Sequence, residues 1–379
     1  MRSFLKNKLG GLSITNGLAA LLVRTAREEG AEGALDRLEP AFVERLARSS
    51  AITSAVASCA IEGFHVGETR AEDLAAQRVR PTKRAEHEVL NYKRALEYLF
   101  GAKPSSLQIT PELLKHLHRL ALNGHQHAGS YKTRENAIID AGTGRLRFTP
   151  VSAKNTEEAV DALCLSYNEA INKETAPPQV CIAALILDFT CIHPFADGNG
   201  RVSRLATTAA LLELGFRMPK LVSLEEIIQN NEHQYYAALA ASSHGWHTGH
   251  HDLTRFLRFH LETVASGYEE LRLKIERTKE PVTAIFDAMI PKTVREKAFK
   301  EFQKIYGNAS WKTANLRKTA RKVTVEGYEP SAELSVFEKL KHANRLAERC
   351  MQKAEGGRAE GNEGGSDADV EPGGNPKNC

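Results

Sequence analysis

The chain has 379 residues, of which 42% are hydrophobic and 26% are charged, which is the composition of a folded, water-soluble protein and excludes wholesale disorder, collagen-like sequences and heptad rods. At this length we expect one large domain with attachments, or two to three domains. The formal net charge of +4 is too small to indicate nucleic-acid binding by the whole molecule.

The apolar segments do not predict a membrane protein. The longest apolar run, 180–192, is shorter than the roughly 20 residues that a spanning helix needs, and it contains Asp188. Thr15 and Asn16 interrupt the apolar part of the N-terminal segment, so we expect no signal peptide. Six cysteines without CxxC spacing, four of them in apolar helical segments, indicate a reducing compartment. We therefore predict a cytoplasmic location and no membrane association.

Helical periodicity predominates, and the predicted fold class is all-α. Apolar residues recur at three- and four-residue spacing in the segments 40–62, 84–100, 111–123, 155–172, 178–191, 200–215, 223–241 and 252–278. Between the third and fourth of these, the runs AIID and RLRF flank a Gly-Thr-Gly turn, which predicts a β-hairpin over 136–150. Because two strands alone are marginally stable in water, we expect the hairpin to pack against helices, as a binding flap or as a connector.

The composition changes after Pro281. Residues 271–325 hold 14 Lys or Arg against 5 Asp or Glu, with Tyr306 and Trp311 among them. A solvated basic helical face is the commoner meaning of such a pattern, and a nucleic-acid-binding module is the alternative. Residues 354–379 hold seven glycines and six acids and few apolar side chains, which predicts a disordered tail.

The most informative segment joins two predicted helices. It reads HPFADGNG over 193–200 and is followed by Arg201 and Arg204. A glycine-rich turn entering a helix N-terminus presents unpaired backbone N–H groups at the positive end of the helix dipole, where anions bind. The two arginines share one helix face and suit bidentate contacts to phosphate. We therefore predict a phosphate site.

Two further side chains of this segment add chemistry. Asp197 is a hard carboxylate at the rim of the turn, and beside phosphate oxygens such a group commonly holds Mg²⁺. His193 begins the turn and can take a proton from an attacking hydroxyl near neutral pH. The GxxxxGK[ST] pattern is absent, which disfavours a P-loop NTPase.

Residues 193–204 resemble the Fic signature HPFx[DE]GNGRxxR and match it at every defined position. The resemblance implies an all-α Fic fold and transfer of AMP from ATP, with Mg²⁺, to a Tyr, Thr or Ser hydroxyl of a target protein. His193 would be the base and Asp197 the metal ligand. The nucleotide would be bound by Gly198, Asn199, Gly200, Arg201, Val202, Ser203 and Arg204. The loop departs from that of Doc-like kinases, so phosphoryl transfer is the weaker variant, and another nucleotide or a phosphocholine donor stays open.

A second motif lies upstream, at residues 58–63. It resembles the [ST]xxxE[GN] inhibitory helix of Fic proteins, in the class whose inhibitor is N-terminal and acts in cis. Ser58 and Glu62 share a helix face, and Gly63 suits a helix C-terminus. A Glu62 carboxylate paired with Arg204 would withdraw this arginine from the γ phosphate and place negative charge in the ATP site. We predict that Glu62 inhibits the enzyme.

The likeness to Fic proteins runs from about residue 42 to 261. The segment 129–132 resembles the one that precedes the flap, with Lys132 where arginine is frequent. The hairpin 136–150 resembles the flap that docks the target protein by backbone pairing. Tyr236 matches a tyrosine that contacts the nucleotide, and Asn231 stands where arginine is frequent.

Four histidines close together in the sequence could suggest a zinc site: His244, His247, His250 and His251. They align with a loop of the family that binds no metal, which disfavours zinc here.

The resemblance and the composition together divide the chain into four parts: an N-terminal helical region 1–105 with the inhibitory helix near 50–63, a Fic catalytic domain 106–262, a basic helical accessory region 263–352 and a disordered tail 353–379. Two rival functions stay open. The same site could remove AMP from a modified protein, with Glu62 orienting a water molecule. Alternatively, the basic region 271–352 could bind DNA and make the protein a regulator. A homodimer is also compatible with the resemblance.

Overall fold

The computed structural model describes residues 1–5, 8–139 and 144–279, and most of the predicted basic region and the whole predicted tail lie outside these residues. The described part is helical apart from one two-stranded antiparallel sheet. The strands are β1 (Ile138–Ile139) and β2 (Leu146–Phe148). The helices are α1 (Asn16–Ala31), α2 (Pro40–Ile61), α3 (Glu68–Ala75), α4 (Arg84–Gly101), α5 (Pro111–Ala121), α6 (Thr156–Asn172), α7 (Pro178–Ile192), α8 (Asn199–Glu213), α9 (Leu224–Asn230), α10 (Glu232–Ser243) and α11 (Thr254–Lys279).

Helix α7 is the centre of the core. Its residues are apolar on every face and nearly all buried, so the longest apolar run of the sequence forms an internal helix. It packs against α6, α8 and α10. Pro178 starts it, and His193 ends it in the left-handed conformation (φ 50°, ψ 61°). The chain then turns directly into α8, so His193 and the N-terminus of α8 lie at one end of the core.

Helix α2 is exposed in its first half and buried in its second. Small side chains in the second half allow close packing against α4 and α9: Ser50, Ala51, Ser54, Ala55, Ala57 and Ser58. After α2 the Gly63 N–H donates to the Ala60 carbonyl and the Phe64 N–H to that of Cys59, with Gly63 at φ +83°. This is a Schellman cap, and its left-handed residue favours glycine. The cap places Glu62 at the very end of the helix.

The hairpin packs on one face only. Ile138 pairs with Phe148 and Ile139 with Leu146, so the register slips by one residue and leaves a bulge at Arg147. The Phe148 ring stacks on the His247 imidazole, with 5.2 Å between ring centroids. The expected packing of the hairpin against the helical body is therefore present.

Some elements differ from the sequence-based prediction. The segment predicted as one helix over 223–241 forms α9 and α10, because the Asn231 side chain donates to the Ile227 carbonyl and ends α9. Helix α1 was not predicted, although the Thr15 that interrupts the apolar run is its N-cap, accepting from the Leu18 N–H. Helix α3 was not predicted either.

Residues 1–274 form one compact unit, and α11 passes without a break through residue 263, where the accessory region was predicted to begin. Among the residues that the structure describes, no helix is long and apolar enough to cross a membrane.

Candidate active site

The loop from His193 to Asn199 is closed by one side chain. The Asn199 carboxamide accepts from the Phe195 N–H (2.9 Å) and donates to the Phe195 carbonyl (2.8 Å). The buried Phe195 ring stacks on His118, with centroids 3.8 Å apart. The Asn199 side chain therefore shapes the loop, and its backbone is what remains available for a ligand.

His193 has the state that a general base requires. Its Nδ1 lies 3.3 Å from the Thr190 carbonyl, which can only accept, so Nδ1 carries the proton and Nε2 has a free lone pair. Burial lowers the pKa of His193 to about 4, and the nearby Lys132 charge acts in the same direction, while the Glu62 and Asp197 carboxylates oppose it. The imidazole is therefore neutral at neutral pH and can accept a proton.

The N-terminus of α8 is the place where the sequence predicts an anion site. Gly198 is the N-cap at φ +76°, and the first amides of α8 have no acceptor within the helix. A Cβ at Gly200 would clash with Glu62 Oε1, so glycine is needed here for a carboxylate to approach the helix end. The structure places the Glu62 carboxylate where an anion would bind.

Arg204 is held by α2 through three contacts. Its Nε donates to Ser58 Oγ (2.8 Å), and its Nη2 donates to the Ser58 carbonyl (3.0 Å) and to Glu62 Oε1 (2.7 Å). The guanidinium is almost completely buried. The pairing of Glu62 with Arg204 predicted from the sequence is present.

Arg201 has a partner that sequence reasoning missed. Its Nη1 donates to Glu88 Oε2 in a fully buried ion pair, and its Nη2 lies 3.8 Å from Asp197 Oδ2. Glu88 also receives bonds from Arg84 Nε (3.3 Å) and His125 Nε2 (2.9 Å). The feature of the sequence that could have indicated this pair is Glu88, a glutamate on the apolar face of the predicted helix 84–100. Among the described residues, Arg201 Nε is buried without a hydrogen-bond partner.

Asp197 fits the predicted magnesium ligand. Its side chain is 61% exposed, and its Oδ1 accepts from the Gly198 N–H (2.6 Å). No group of three or more His, Cys, Asp or Glu is arranged around a metal site within the described residues. A single exposed carboxylate beside an anion site is suited to Mg²⁺, which takes few protein ligands and shares phosphate oxygens and water.

The other predicted nucleotide residues have different surroundings. The Val202 side chain is fully buried and its N–H donates to the Gly198 carbonyl, while Ser203 Oγ donates to the Gly200 carbonyl (2.7 Å). Tyr236 is half-buried on α10. Burial is the main cause that raises the pKa of Tyr236, and the negative charge of Glu62 adds to it. The phenol therefore lies near Glu62. The adjacent Tyr235 is buried, which raises its pKa, and the nearby Arg204 charge acts in the opposite direction.

His118 is another residue that sequence reasoning missed. The Gly129 N–H donates to its Nδ1 (2.8 Å), so its Nε2 carries the proton and donates to the Asp197 carbonyl (3.1 Å). Burial lowers the pKa of His118 to about 4, which keeps the imidazole neutral at neutral pH. The imidazole fixes the backbone of the residue predicted to hold the metal.

The histidines between α10 and α11 make separate contacts. His247 Nε2 donates to the Thr149 carbonyl (2.7 Å), beside the hairpin. His251 Nε2 donates to Ser3 Oγ (2.9 Å), since this hydroxyl donates to the buried Asp188, and Lys8 Nζ lies 3.1 Å from His251 Nδ1. These imidazoles therefore attach the N-terminal segment and the hairpin to the core.

Comparison with known proteins identifies the region. Residues 108–211 match the model of the Fic/DOC family. Over 180 residues the chain is 30% identical to "Protein adenylyltransferase Fic" of Nematostella vectensis, covering 46% of this chain and 36% of that protein. It is 27% identical to "Protein adenylyltransferase fic-1" of Caenorhabditis elegans over 57% of this chain and 40% of that protein. The matches thus span well under half the length of these relatives.

Solved structures show the same fold. A Fic family protein from Desulfovibrio desulfuricans superposes with a TM-score of 0.58 at 21% identity, over 81% of this chain and 88% of that one. A fragment of C. elegans Fic-1 superposes with a TM-score of 0.54 at 21% identity, over 68% of this chain and 71% of that fragment. The motif from His193 to Arg204 lies inside residues 108–211, the segment that matches the family model. Residues 108–211 of this chain form a domain of the Fic/DOC family.

Proposed function

We propose that this protein is an adenylyltransferase, which moves AMP from ATP to a Tyr, Thr or Ser hydroxyl of a target protein and which Glu62 inhibits in cis. The observation that carries the proposal is the neutral His193, which begins a loop that leads directly into an anion-binding helix N-terminus. The names of the two relatives support AMP as the transferred group.

In the proposed reaction the target hydroxyl oxygen attacks the α phosphorus of ATP. His193 Nε2 takes the hydroxyl proton as the new O–P bond forms. The bond from the α phosphorus to the oxygen bridging to the β phosphate breaks, and pyrophosphate leaves. The amides at the start of α8, together with Arg201 and Arg204, would neutralise the charge of the phosphates. Asp197 would hold Mg²⁺, which when bound neutralises phosphate charge.

Inhibition follows from the same contacts. While Glu62 bonds to Arg204, this arginine cannot serve the γ phosphate, and the carboxylate lies beside Gly200, where a phosphate would lie. A carboxylate and a phosphate cannot share that position because their charges repel. ATP would therefore bind in a strained pose or displace the end of α2.

We further propose that the target docks on the hairpin. Ile139 and Leu146 face each other across the two strands and are 58% and 62% exposed, although both are apolar. Phe148 and His247 hold the opposite face of the hairpin. An extended target segment that pairs with β1 would cover these side chains.

Leu146→Asp should therefore raise the KM for a protein target by about tenfold, since it removes apolar contact and adds a charge, while the KM for ATP stays constant. Leu165→Asp is the matched control, because Leu165 is 63% exposed on α6, away from the hairpin. Steady-state kinetics with the target as the variable substrate measure the effect. Equal KM values in the two variants would contradict docking at this place.

The reaction class is tested with ATP labelled at the α or the γ phosphate, in the presence of Mg²⁺. We expect protein label from the α position and none from the γ position, because the leaving group is pyrophosphate. Protein label from the γ position would mean phosphoryl transfer and overturn the proposal. If the protein instead removes AMP from a pre-modified target and transfers no label, its activity is the removal of AMP from modified proteins.

We also propose a cytoplasmic location. Cys59, Cys164, Cys181 and Cys191 are buried and unpaired, which suits a reducing compartment.

A further inference from the structure

Two side chains at the base of the hairpin hold the backbone that carries His193. Lys132 is only 5% exposed, and its Nζ donates to Asn136 Oδ1 (2.7 Å) and to the Ile192 carbonyl (3.2 Å). Its own N–H donates to the Pro194 carbonyl (2.9 Å). Burying an unpaired ammonium group is costly, so these hydrogen bonds are what stabilise Lys132 in its buried position.

Asn136 completes the set. Its Nδ2 donates to the His193 carbonyl (3.2 Å) and to the Phe195 carbonyl (3.1 Å). Together the two residues bind four consecutive carbonyls, those of residues 192–195. The Ile192 and His193 carbonyls lie at the C-terminus of α7, where carbonyls lack partners within the helix, and the Phe195 carbonyl also accepts from the Asn199 side chain. The two residues form what we call the clamp.

The clamp acts where the backbone is strained. His193 is a non-glycine residue in the left-handed region, at φ 50°, which is an unfavourable conformation for an L-residue. Such a conformation persists when its surroundings hold it. Bonds to the carbonyls on both sides of His193 provide that hold, and they fix the direction in which the imidazole leaves the chain.

The clamp also belongs to the hairpin. Asn136 lies two residues before Ile138, the first residue of β1. Glu135, its neighbour, accepts from the Ala153 N–H (3.1 Å) on the far side of the hairpin. Any segment that pairs with β1 therefore lies within a few residues of the bonds that hold the His193 backbone.

We propose that Lys132 and Asn136 are positioning residues, which hold His193 in register with the anion site and link its position to the hairpin that docks the target. This rests on the proposed function. The clamp touches neither Arg201 nor Arg204 nor the first amides of α8, so its loss should lower kcat and leave ATP affinity unchanged.

The sharpest variant is Asn136→Asp, compared in a Glu62→Gly parent that is free of inhibition. It keeps the size of the side chain and the acceptor for Lys132, but it replaces the two N–H donors by an oxygen that repels the His193 and Phe195 carbonyls. A misplacement of the base by about 1 Å can lower the rate about a hundredfold. We expect kcat for AMP transfer to fall 10- to 100-fold, with an unchanged Kd for ATP.

Asn168→Asp is the matched control. Its Nδ2 donates to the Ile109 carbonyl (2.8 Å), so the substitution removes the same kind of bond from α6 without touching the loop. We expect kcat close to that of the parent. Equal kcat values for Asn136→Asp and Asn168→Asp, or a loss seen only in ATP affinity, would overturn the proposal.

Lys132 supplies a second readout. Lys132→Arg should restore most of the activity that Lys132→Met loses, because arginine keeps both the charge and the donors. The Lys132 charge lowers the pKa of His193, against the Asp197 carboxylate, so Lys132→Met should move the acid limb of the rate profile to higher pH. If Lys132 had only a structural role, Lys132→Met would lower the fraction of folded protein without moving the acid limb of the rate profile.

Hydrogen exchange separates the clamp from the reaction. Amides of the peptide 190–200 should exchange faster in Asn136→Asp than in Asn168→Asp, whatever the activity of the protein. If the Glu62→Gly parent transfers no label, the proposed function is wrong, and this comparison still decides the clamp. Equal exchange of the peptide in the two variants would refute it.

Discussion

Replacing His193 by alanine should abolish label transfer from α-labelled ATP while the protein still binds ATP. General bases contribute about 10²–10⁴-fold to such rates, and no other described group within the loop offers a neutral lone pair to the attacking hydroxyl. The anion site at α8 is unchanged by the substitution, so the Kd for ATP should stay constant. Label transfer in the Glu62→Gly parent and equilibrium nucleotide binding measure the two parts of this prediction.

His87→Ala on the exposed face of α4 is the control for His193→Ala, and it should keep full activity. Retained turnover in His193→Ala would show that the histidine is not the base.

The pH profile gives an independent check on the same residue. Because burial lowers the pKa of His193 to about 4, the base is already neutral at pH 6, and the rate should not change between pH 6 and 8 on its account. As pH falls through the pKa the imidazole gains a proton and can no longer accept one, so the rate should fall on the acid side. A limb near pH 6.5, the ordinary histidine value, would contradict the buried environment that the structure gives it.

Replacing Glu62 by glycine should increase auto-modification by about ten- to a hundredfold, which corresponds to the 1.5–3 kcal/mol of a hydrogen bond to a charged group. The substitution frees Arg204 from its 2.7 Å contact and removes the carboxylate from the helix end beside Gly200. Arg204 keeps its two bonds to Ser58, so it should stay in place for the γ phosphate. Incorporation of α label into the protein measures the gain.

Glu62→Gln separates charge from shape. The amide keeps the size of the side chain but loses its negative charge, so we expect partial activation. Glu44→Gln is the matched control, because Glu44 pairs with Arg48 on the exposed half of α2 and touches nothing at the site. If neither Glu62 variant differs from Glu44→Gln, Glu62 is not the inhibitor.

Sequence patterns located most of the helices but not all of their ends. Helix α7 could be predicted because its apolar run has no competing interpretation once a membrane span is excluded. Helix α3, at eight residues with two buried side chains, carries too short a pattern to stand out. The break between α9 and α10 depends on one side-chain cap at Asn231, which periodicity does not register.

The predicted site residues have unequal roles in the structure. His193, Asp197, Gly200 and Arg204 lie around the N-terminus of α8, where the anion site is predicted. Asn199 instead binds the Phe195 backbone, although it belongs to the same motif. Motif membership therefore located the site, while the hydrogen bonds distinguish groups that face a ligand from groups that hold the loop.

The sequence by itself determined the helical class, the hairpin and the loop that begins at His193, because periodicity, turn chemistry and motif spacing are local properties of the chain. Only the tertiary structure decided the partners of the buried charges. Glu88 meets Arg201 across 113 residues, Ser58 meets Arg204 across 146, and Lys132 meets the Ile192 carbonyl across 60. Such pairs form because packing brings distant helices together and every buried polar group then needs a partner, and no spacing along the chain specifies which one it finds.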